Sequence, residues 1–483
     1  MHFVIKLFPE ITIKSTPVRK RMTRQLRENL RKLLRPLSPD IQVEQDWEKL
    51  QVTGPDDSAL TAQVADLLGR TPGIANYSKV QHFPLGDFED ILANTLSVWR
   101  AKLEGKTFVL RVKRSGKHDF SSSDVERQVG GGLLHQSGAV GVKLKDPDVT
   151  VRLEIRHGEL FVIEETCKGL GGFPLGTQDT VISLISGGFD STVSSYLTTK
   201  RGLRTHYLFF NLGGRAHEVG VKEVAFYLWN KFGSSHRVRF ITVPFEDVVG
   251  EILGKVRNSE MGVVLKRMML RAASKIAGEM EVQALVTGES VAQVSSQTLT
   301  NLAVIDSVTN MLVLRPLITS DKNDIIDVAR AIGTEQFAAN MPEYCGVISV
   351  KPTTRAKEEK VAAEEANFDF AVLEKAVERM RVQNIDEVMD EDAPLAEVEV
   401  FPIPQPGAVI LDIRHPDEID VRPLKVSGTV VQAIPFFTLQ NRFKNLEKDT
   451  RYLLYCEKGV MSRLHAELLL EQGFGNVAVY RPS

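Results

Sequence analysis

Ser186-Gly187-Gly188-Phe189-Asp190-Ser191 follows an apolar run at residues 181–185 and leads into a helical pattern from Thr192. A strand, a glycine turn and a helix start together aim backbone N–H groups at an anion. Gly187 and Gly188 let the main chain approach closely, and Ser186 and Ser191 add hydroxyl donors. Asp190 is a carboxylate suited to holding Mg2+ against phosphate oxygens. The G-x-x-x-x-G-K-[ST] phosphate loop is not the pattern here. A second reactive loop starts at Cys456, directly after the apolar residues 452–455, and runs Cys456-Glu457-Lys458-Gly459-Val460-Met461-Ser462-Arg463 into a helix. A sulfur at such a turn meets backbone N–H groups and a helix N-terminus, which favour a thiolate and equally a terminal persulfide anion. The phosphatase spacing C-x5-R requires arginine at 462, where this chain has Ser462, so that chemistry is excluded. The plain alternatives are an ordinary glycine turn and a small buried cysteine.

Supporting residues stand where a phosphate-handling domain needs them. Thr287-Gly288-Glu289-Ser290 follows an apolar strand, with Gln293, Ser296 and Gln297 soon after. Ser320-Asp321-Lys322 opens a helix, and a lysine there neutralises charge that develops as a phosphoanhydride breaks. Lys266 and Arg267 are weaker candidates, because a basic residue on a helix is often only solvated. Cys345, in Pro342-Glu343-Tyr344-Cys345-Gly346, is either a resolving thiol for a persulfide or an inert core cysteine. Cys167, near Gly169, Gly171 and Gly172, reads as structural or incidental.

The elements that position these residues are legible in outline. The 483 residues suggest about three domains. A 43% hydrophobic and 25% charged composition is that of an ordinary globular chain. With 60 basic and 62 acidic residues, the net charge of −2 carries no information about nucleic acid, and only local clustering can. Three cysteines without C-x-x-C spacing exclude a disulfide framework and a zinc site built from them alone. No run approaches about 18 apolar residues and no signal peptide is evident, so the expectation is a reducing cytoplasm and no membrane.

Residues 18–35 form an amphipathic helix with Val18, Met22, Leu26, Leu30 and Leu33 on one arc. Lys20, Arg24, Arg27, Arg31 and Arg35 lie on the other, interrupted only by Glu28. A second basic cluster, Lys102, Lys106, Arg111, Lys113, Arg114 and Lys117, follows on and around the strand at 107–114. The stripe on the helix is either a solvated face or a contact for a polyanion; together the clusters suggest a positive face with salt-dependent phosphate affinity. Residues 177–385 alternate strands (181–185, 207–210, 238–243, 284–287) with helices (219–232, 261–277), the pattern of a parallel sheet covered on both faces. An acidic, proline-ended linker follows, then a compact α/β module of about 80 residues.

SGGFDS in this context resembles the SGGxDS pyrophosphate loop of ATP-using adenylating enzymes. The Thr287–Gln297 set resembles the adenine- and ribose-side contacts of that superfamily. The Cys456 loop, with Leu411-Asp412-Ile413-Arg414 and residues 428–435 upstream, resembles a rhodanese active loop. Met461 stands where many thiosulfate rhodaneses carry arginine, which argues against thiosulfate as the natural donor. Taken in order, the parts resemble the tRNA 4-thiouridine sulfurtransferase family, in its long form with a C-terminal rhodanese domain.

The resemblance implies a multidomain α+β and α/β chain. Its parts are a ferredoxin-like domain (1–60), a THUMP RNA-binding domain (62–166) ending near Leu153-Glu154-Ile155-Arg156-His157-Gly158, a doubly wound pyrophosphate-loop ATPase (177–385), a linker (386–403) and a rhodanese (404–483). It implies ATP contacts at Leu184, Ile185, Ser186, Gly187, Gly188, Ser191, Lys266, Gly288 and Gln297, catalytic Asp190 and Lys322, and Mg2+ carried with ATP at Asp190. No tightly bound prosthetic group is expected. The basic residues Lys20, Arg24, Arg27, Arg31, Lys106, Arg111, Lys113, Arg114 and Lys117 become the tRNA contacts.

The resemblance further implies a mechanism in which a cysteine desulfurase loads Cys456 with sulfur, ATP adenylates uridine 8 of tRNA at O4, and the sulfur displaces AMP. It also implies that Cys345 then forms a disulfide with Cys456 and that a reductant resets the pair. The family also supplies sulfur, through a small carrier protein, for the thiazole of thiamine. A homodimer binding one tRNA across two subunits fits the distance in sequence between RNA-binding and catalytic regions. A pure sulfur relay, with the RNA-binding part as scaffold, has no use for Ser186–Ser191 or Lys322. A THUMP-containing methyltransferase is disfavoured because the loop lacks the glycine pattern of a methyl-donor site.

Overall fold

The computed structural model describes residues 1–46, 49–212, 214–339, 341, 352–389, 398–414, 416–457 and 460–482. The chain forms two compact units, Met1–Thr177 and Gln178–Ser483.

The first unit is built on one eight-stranded sheet. Its order is Gln42–Asp46, Lys49–Thr53, His2–Leu7, Ile74–Pro84, Glu159–Lys168, Val149–Arg156, Thr107–Ser115, Gly141–Val142. Two large apolar cores share it, with a small third cluster of Val4, Val80, Phe161 and Ile163 among the described residues. Met22, Leu26 and Leu30 of the helix Thr16–Leu34 pack against Ile5 and Leu50 in one. The helices Phe88–Leu103 and Ser122–Gln136 cover Phe108, Leu110 and Leu153 in the other. A break near residue 60 does not separate these cores. The helix Ser58–Gly69 and the strand Ile74–Pro84 give Val64, Leu67, Leu68, Ile74 and Tyr77 to the N-terminal core, because that strand pairs directly with His2–Leu7. His157 and Gly158, both with positive φ, turn Val149–Arg156 back into Glu159–Lys168, a tight hairpin geometry that matches strand twist.

The second unit opens with the expected mainly parallel sheet, ordered Leu312–Leu314, Ala284–Val286, Thr180–Leu184, Arg204–Asn211, Arg239–Pro244, Arg381–Asn384. Arg381–Asn384 is the antiparallel exception. The alternation of side chains in Arg204–Asn211 explains burial on both faces. Leu208 and Phe210 enter one apolar cluster with Ile182 and Ile241, whereas Tyr207 and Phe209 enter another with Phe240. Strand order reverses beside Thr180–Leu184, whose neighbours are Arg204–Asn211 on one side and Ala284–Val286 on the other. In such sheets a crevice opens at the carboxyl ends of the strands flanking that point. Five parallel strands, Val400–Phe401, Val477–Tyr480, Tyr452–Tyr455, Val409–Asp412 and Val430–Ala433, form the second sheet of this unit.

His206 sits inside the larger sheet, 6% exposed, with Nδ1 accepting from the Arg239 N–H at 2.9 Å. Burial, with Arg204 and Arg239 nearby, pushes its pKa down to about 4. An unfolded histidine binds its proton near 6.5. Between those values the unfolded chain holds more protons, so stability falls as pH falls from 6.5 to 4 and the loss then levels off. The full window corresponds to about 3 kcal/mol. His206→Asn, whose Oδ1 can accept the same N–H, is expected to flatten this part of a denaturant-midpoint series. A profile as steep as wild type would remove His206 as its source.

Candidate active site

Thr180–Leu184 ends in the loop whose two glycines were singled out, and the helix begins at Phe189, three residues earlier than the pattern from Thr192 suggested. Gly188 caps it, which brings Asp190 and Ser191 into the first turn. Gly187 has φ +82°, which a side chain resists, and a Cβ there would also meet the Met341 side chain at 2.5 Å. Inside the loop, the Ser186 N–H donates to Ser191 Oγ at 3.1 Å, and the two hydroxyls are also 3.1 Å apart. Leu184 and Ile185 lead directly into the loop. Leu184 is half-buried, and Ile185 is buried with its N–H on Leu208 O at 2.9 Å.

Asp190 is the hub. Lys322 Nζ reaches Oδ1 at 2.9 Å, and Gln293 Nε2 reaches Oδ2 at 2.8 Å. Lys322 also stands 5.4 Å over the Phe189 ring. Gly288 is required by contact: a Cβ there would lie 2.5 Å from the Asp190 carbonyl carbon and 2.6 Å from Ser191 N. The loops are tied at a further point, where Ser290 Oγ donates to Ser320 O at 2.9 Å.

Behind the hub is a charge chain. Glu289, 5% exposed, accepts from Lys266 at 2.7 Å, Arg315 at 2.7 Å and the Thr287 hydroxyl at 2.9 Å. Burial alone would raise its pKa, but Lys266 and Arg315 reverse that and bring it down to about 2. Arg315 also binds Asp306 through two nitrogens, at 2.8 and 2.6 Å. Lys266 therefore joins the Glu289 chain, while its neighbour Arg267 does not. Arg267 is buried against Glu365, at 2.7 and 2.9 Å, and the Val304 carbonyl, which makes it a structural residue. Gln297 is 8% exposed, and its Oε1 has no hydrogen-bond partner among the described residues. A buried orphan acceptor suits an amino group of a ligand.

Sequence reasoning missed His217. Its Nε2 lies 3.3 Å from Ser186 O, and burial pushes its pKa down, so it meets the loop as a neutral ring. It is 31 residues from Ser186, and no local pattern announces the contact. Arg315 and Asp306 were missed for the same reason.

In the second loop, the Cys456 sulfur stands before the helix Val460–Glu471. Cys456 is 8% exposed, and the Ser462 N–H donates to Sγ at 3.3 Å, with Ser462 Oγ at 3.4 Å. Ser462, where a phosphatase would carry arginine, is thus a direct partner of the sulfur. The helix Val460–Glu471 supplies that N–H from its first turn. The buried Asp412–Arg414 pair, at 2.9 and 2.6 Å, sits below, with the guanidinium 5.1 Å over the Tyr455 ring. Cys345 lies outside the described residues. Cys167 lies in the strand Glu159–Lys168, and burial together with Glu165 pushes its thiol pKa up, which suits an inert role.

In the first unit, Lys20, Arg24, Arg31, Lys106, Arg111, Lys113 and Lys117 are exposed, and Arg27 and Arg114 are half-buried. Arg31 is partly committed, to Glu28 and to the Val43 carbonyl, each at 3.2 Å. Arg114 and Lys117 line an open cleft with His118 and Phe120. No described helix is long and apolar enough to cross a membrane.

Comparison with known proteins follows the same division. Residues 176–370 match the family profile "Thiamine biosynthesis protein (ThiI)", 2–78 its ferredoxin-like domain, 86–163 the THUMP domain and 402–483 the rhodanese-like domain. Over 100% of both chains, the sequence is 56% identical to a tRNA sulfurtransferase of Saccharophagus degradans. It is 55% identical, again over both full lengths, to one of Azotobacter vinelandii. A solved 4-thiouridine synthetase–RNA complex with bound ATP is similar with a TM-score of 0.70 and 25% identity, covering 79% of this chain and 99% of that one.

Proposed function

The chain belongs to the tRNA sulfurtransferase family, and on that premise we propose that it uses ATP to replace O4 of uridine 8 in tRNA with sulfur carried on Cys456. The observation that supports this most is the crevice closed around Asp190 by Lys322 and Gln293, in the same unit as the Cys456 loop. A relay that only passes sulfur along has no use for the first of these.

The chemistry needs two activations. A uridine C4 oxygen is a poor leaving group until it carries a phosphoryl group. The Ser186–Ser191 loop orients the ATP phosphates by its N–H groups and hydroxyls, and Gln297 and Leu184–Ile185 take the nucleoside side. O4 attacks the α-phosphorus, the bond to the β-phosphate oxygen breaks, and Lys322 stabilises the charge on the departing pyrophosphate. Mg2+ fits here as a partner of the nucleotide. Asp190 is a single carboxylate, as Mg2+ sites built mainly from phosphate oxygens and water require, and it would exchange one of its present contacts for the ion. The ion's contribution is to neutralise phosphate charge.

The second activation is at sulfur. The Ser462 N–H and the helix start hold an anionic sulfur at Cys456. The terminal sulfur of the persulfide attacks C4 and AMP leaves with O4. The Cys345 thiolate then attacks Cys456 Sγ, which releases thiouridine and forms a disulfide that a dithiol reductant reopens. Release of sulfide by Cys345 before the attack on C4 gives the same products and the same disulfide.

The basic residues of the first unit bind the tRNA backbone. A cysteine desulfurase supplies the sulfur, and a homodimer presents one subunit's RNA-binding unit to the other's active site. The thiamine-biosynthesis profile supports a second outlet, sulfur donation to a carrier protein for the thiazole. The direct test is reconstitution with unmodified tRNA, ATP, Mg2+, cysteine and a desulfurase, reading near-ultraviolet absorbance of 4-thiouridine. ATP-dependent appearance of that band is the expected result. Sulfur loading on Cys456 with no thiouridine would leave only the relay.

A further inference from the structure

The helix Gly214–Leu228 reaches the supports of both reactive loops. Near its start, His217 meets the Ser186 carbonyl of the pyrophosphate loop. Six residues on, about 9 Å along the axis, Glu223 Oε1 lies 2.5 Å from His465 Nε2. His465 is on Val460–Glu471, the helix whose first turn holds the Cys456 sulfur. Both side chains are buried, at 4% and 7% exposure. Around them the packing is continuous. Phe337 and Phe436 meet edge to face with centroids 5.0 Å apart, Phe436 lies 6.0 Å from His465, and one apolar cluster includes both Ile185 and Cys456.

Apolar contact explains why the sulfur-carrying module rests on the adenylating domain. It does not select one orientation. Neither ring nitrogen of His465 nor Glu223 Oε1 makes an aligned hydrogen bond among the described residues, so the pair is a close polar contact bought at a desolvation cost. Two well-packed apolar side chains would be at least as stable there, and the best-attested use of a buried polar pair is to fix register. We propose that Glu223 and His465 are positioning residues that seat the rhodanese module on the adenylating domain in the one orientation that presents Cys456 to the activated base. They touch neither ATP nor the base, and the proposal rests on the sulfur-transfer reading above.

The test uses the full chain as wild type, Glu223→Gln, and the exchanged pair Glu223→His with His465→Glu. Each is assayed for persulfide loading on Cys456 by a desulfurase and cysteine, pyrophosphate release with tRNA, thiouridine formed in a single turnover, and hydrogen exchange of residues 214–228 and 436–443. Glu223→Gln should load sulfur and release pyrophosphate within about twofold of wild type. Its sulfur transfer should be slower by about tenfold, since small misplacements of reacting groups are costly. Exchange should rise in both segments together, and the exchanged pair should recover much of the loss. Transfer at the wild-type rate with unchanged exchange, or no recovery in the exchanged pair, overturns the proposal. Wild type that makes no thiouridine, while Glu223→Gln still loosens both segments, would instead overturn the sulfur-transfer reading and leave the seat standing.

Discussion

Asp190→Ala is expected to lower tRNA-dependent pyrophosphate release by about 10^3-fold while Cys456 still accepts sulfur at the wild-type rate. The size follows from what the carboxylate holds. Its two oxygens fix Lys322 at 2.9 Å and Gln293 at 2.8 Å, so its removal frees the cation that meets the developing charge and opens the loop beside Gly288. Loss of one such preorganised electrostatic contact costs about 10^2 to 10^3 in rate, and Asp190 organises more than one. Lys322→Ala should show a smaller part of the same defect, because the loop N–H groups and the Glu289 chain stay in place. Pyrophosphate release with a deficit under tenfold in Asp190→Ala would mean that adenylation is organised elsewhere.

Cys456→Ala gives the complementary result. Thiouridine formation should fall by at least about 10^4-fold, as removal of a covalent nucleophile does in well-studied cases. Pyrophosphate release should persist, because the side chains that would hold ATP lie on the loops and helices that follow the strands of the larger sheet of the second unit and not on the Cys456 loop. The smaller Sγ-to-Ser462 contact is lost with it, and the apolar pocket around Ala466 and Leu469 should keep the fold intact. Separation of the two half-reactions by two single substitutions is the behaviour of an enzyme with two activations. Loss of both functions in either variant would show instead that the loops work as one site.

Both loops were legible because each is local. Four apolar residues in a run of five, two glycines and a carboxylate specify a strand, a turn and a helix start within eleven positions, and a cysteine between an apolar strand and a helix does the same. The parallel sheet was legible from alternation of strands and helices, and the basic arc of Thr16–Leu34 from its period. What was not legible is pairing across distance. His217 with Ser186, Arg315 with Glu289 and Glu223 with His465 bring together residues separated by 31, 26 and 242 positions. Their sequence neighbourhoods carry no sign of the partner. Lys266 and Arg267 show a subtler gap. Adjacent helix residues point about 100° apart, and nothing in the chain says which meets Glu289 and which Glu365 until the sheet is in place. The extent of the N-terminal core was hidden similarly, because Ile74–Pro84 declares its membership only by pairing with His2–Leu7.

The central claim is that ATP acts on the oxygen that sulfur replaces. The most direct measurement uses tRNA carrying oxygen-18 at O4 of uridine 8, reconstituted with ATP, cysteine and a desulfurase, with mass analysis of the nucleotide products. The account predicts one labelled oxygen in the phosphate of AMP for each thiouridine formed, and none in pyrophosphate. Thiouridine formed with unlabelled AMP would contradict adenylation of the base, and would mean that ATP acts at some other atom.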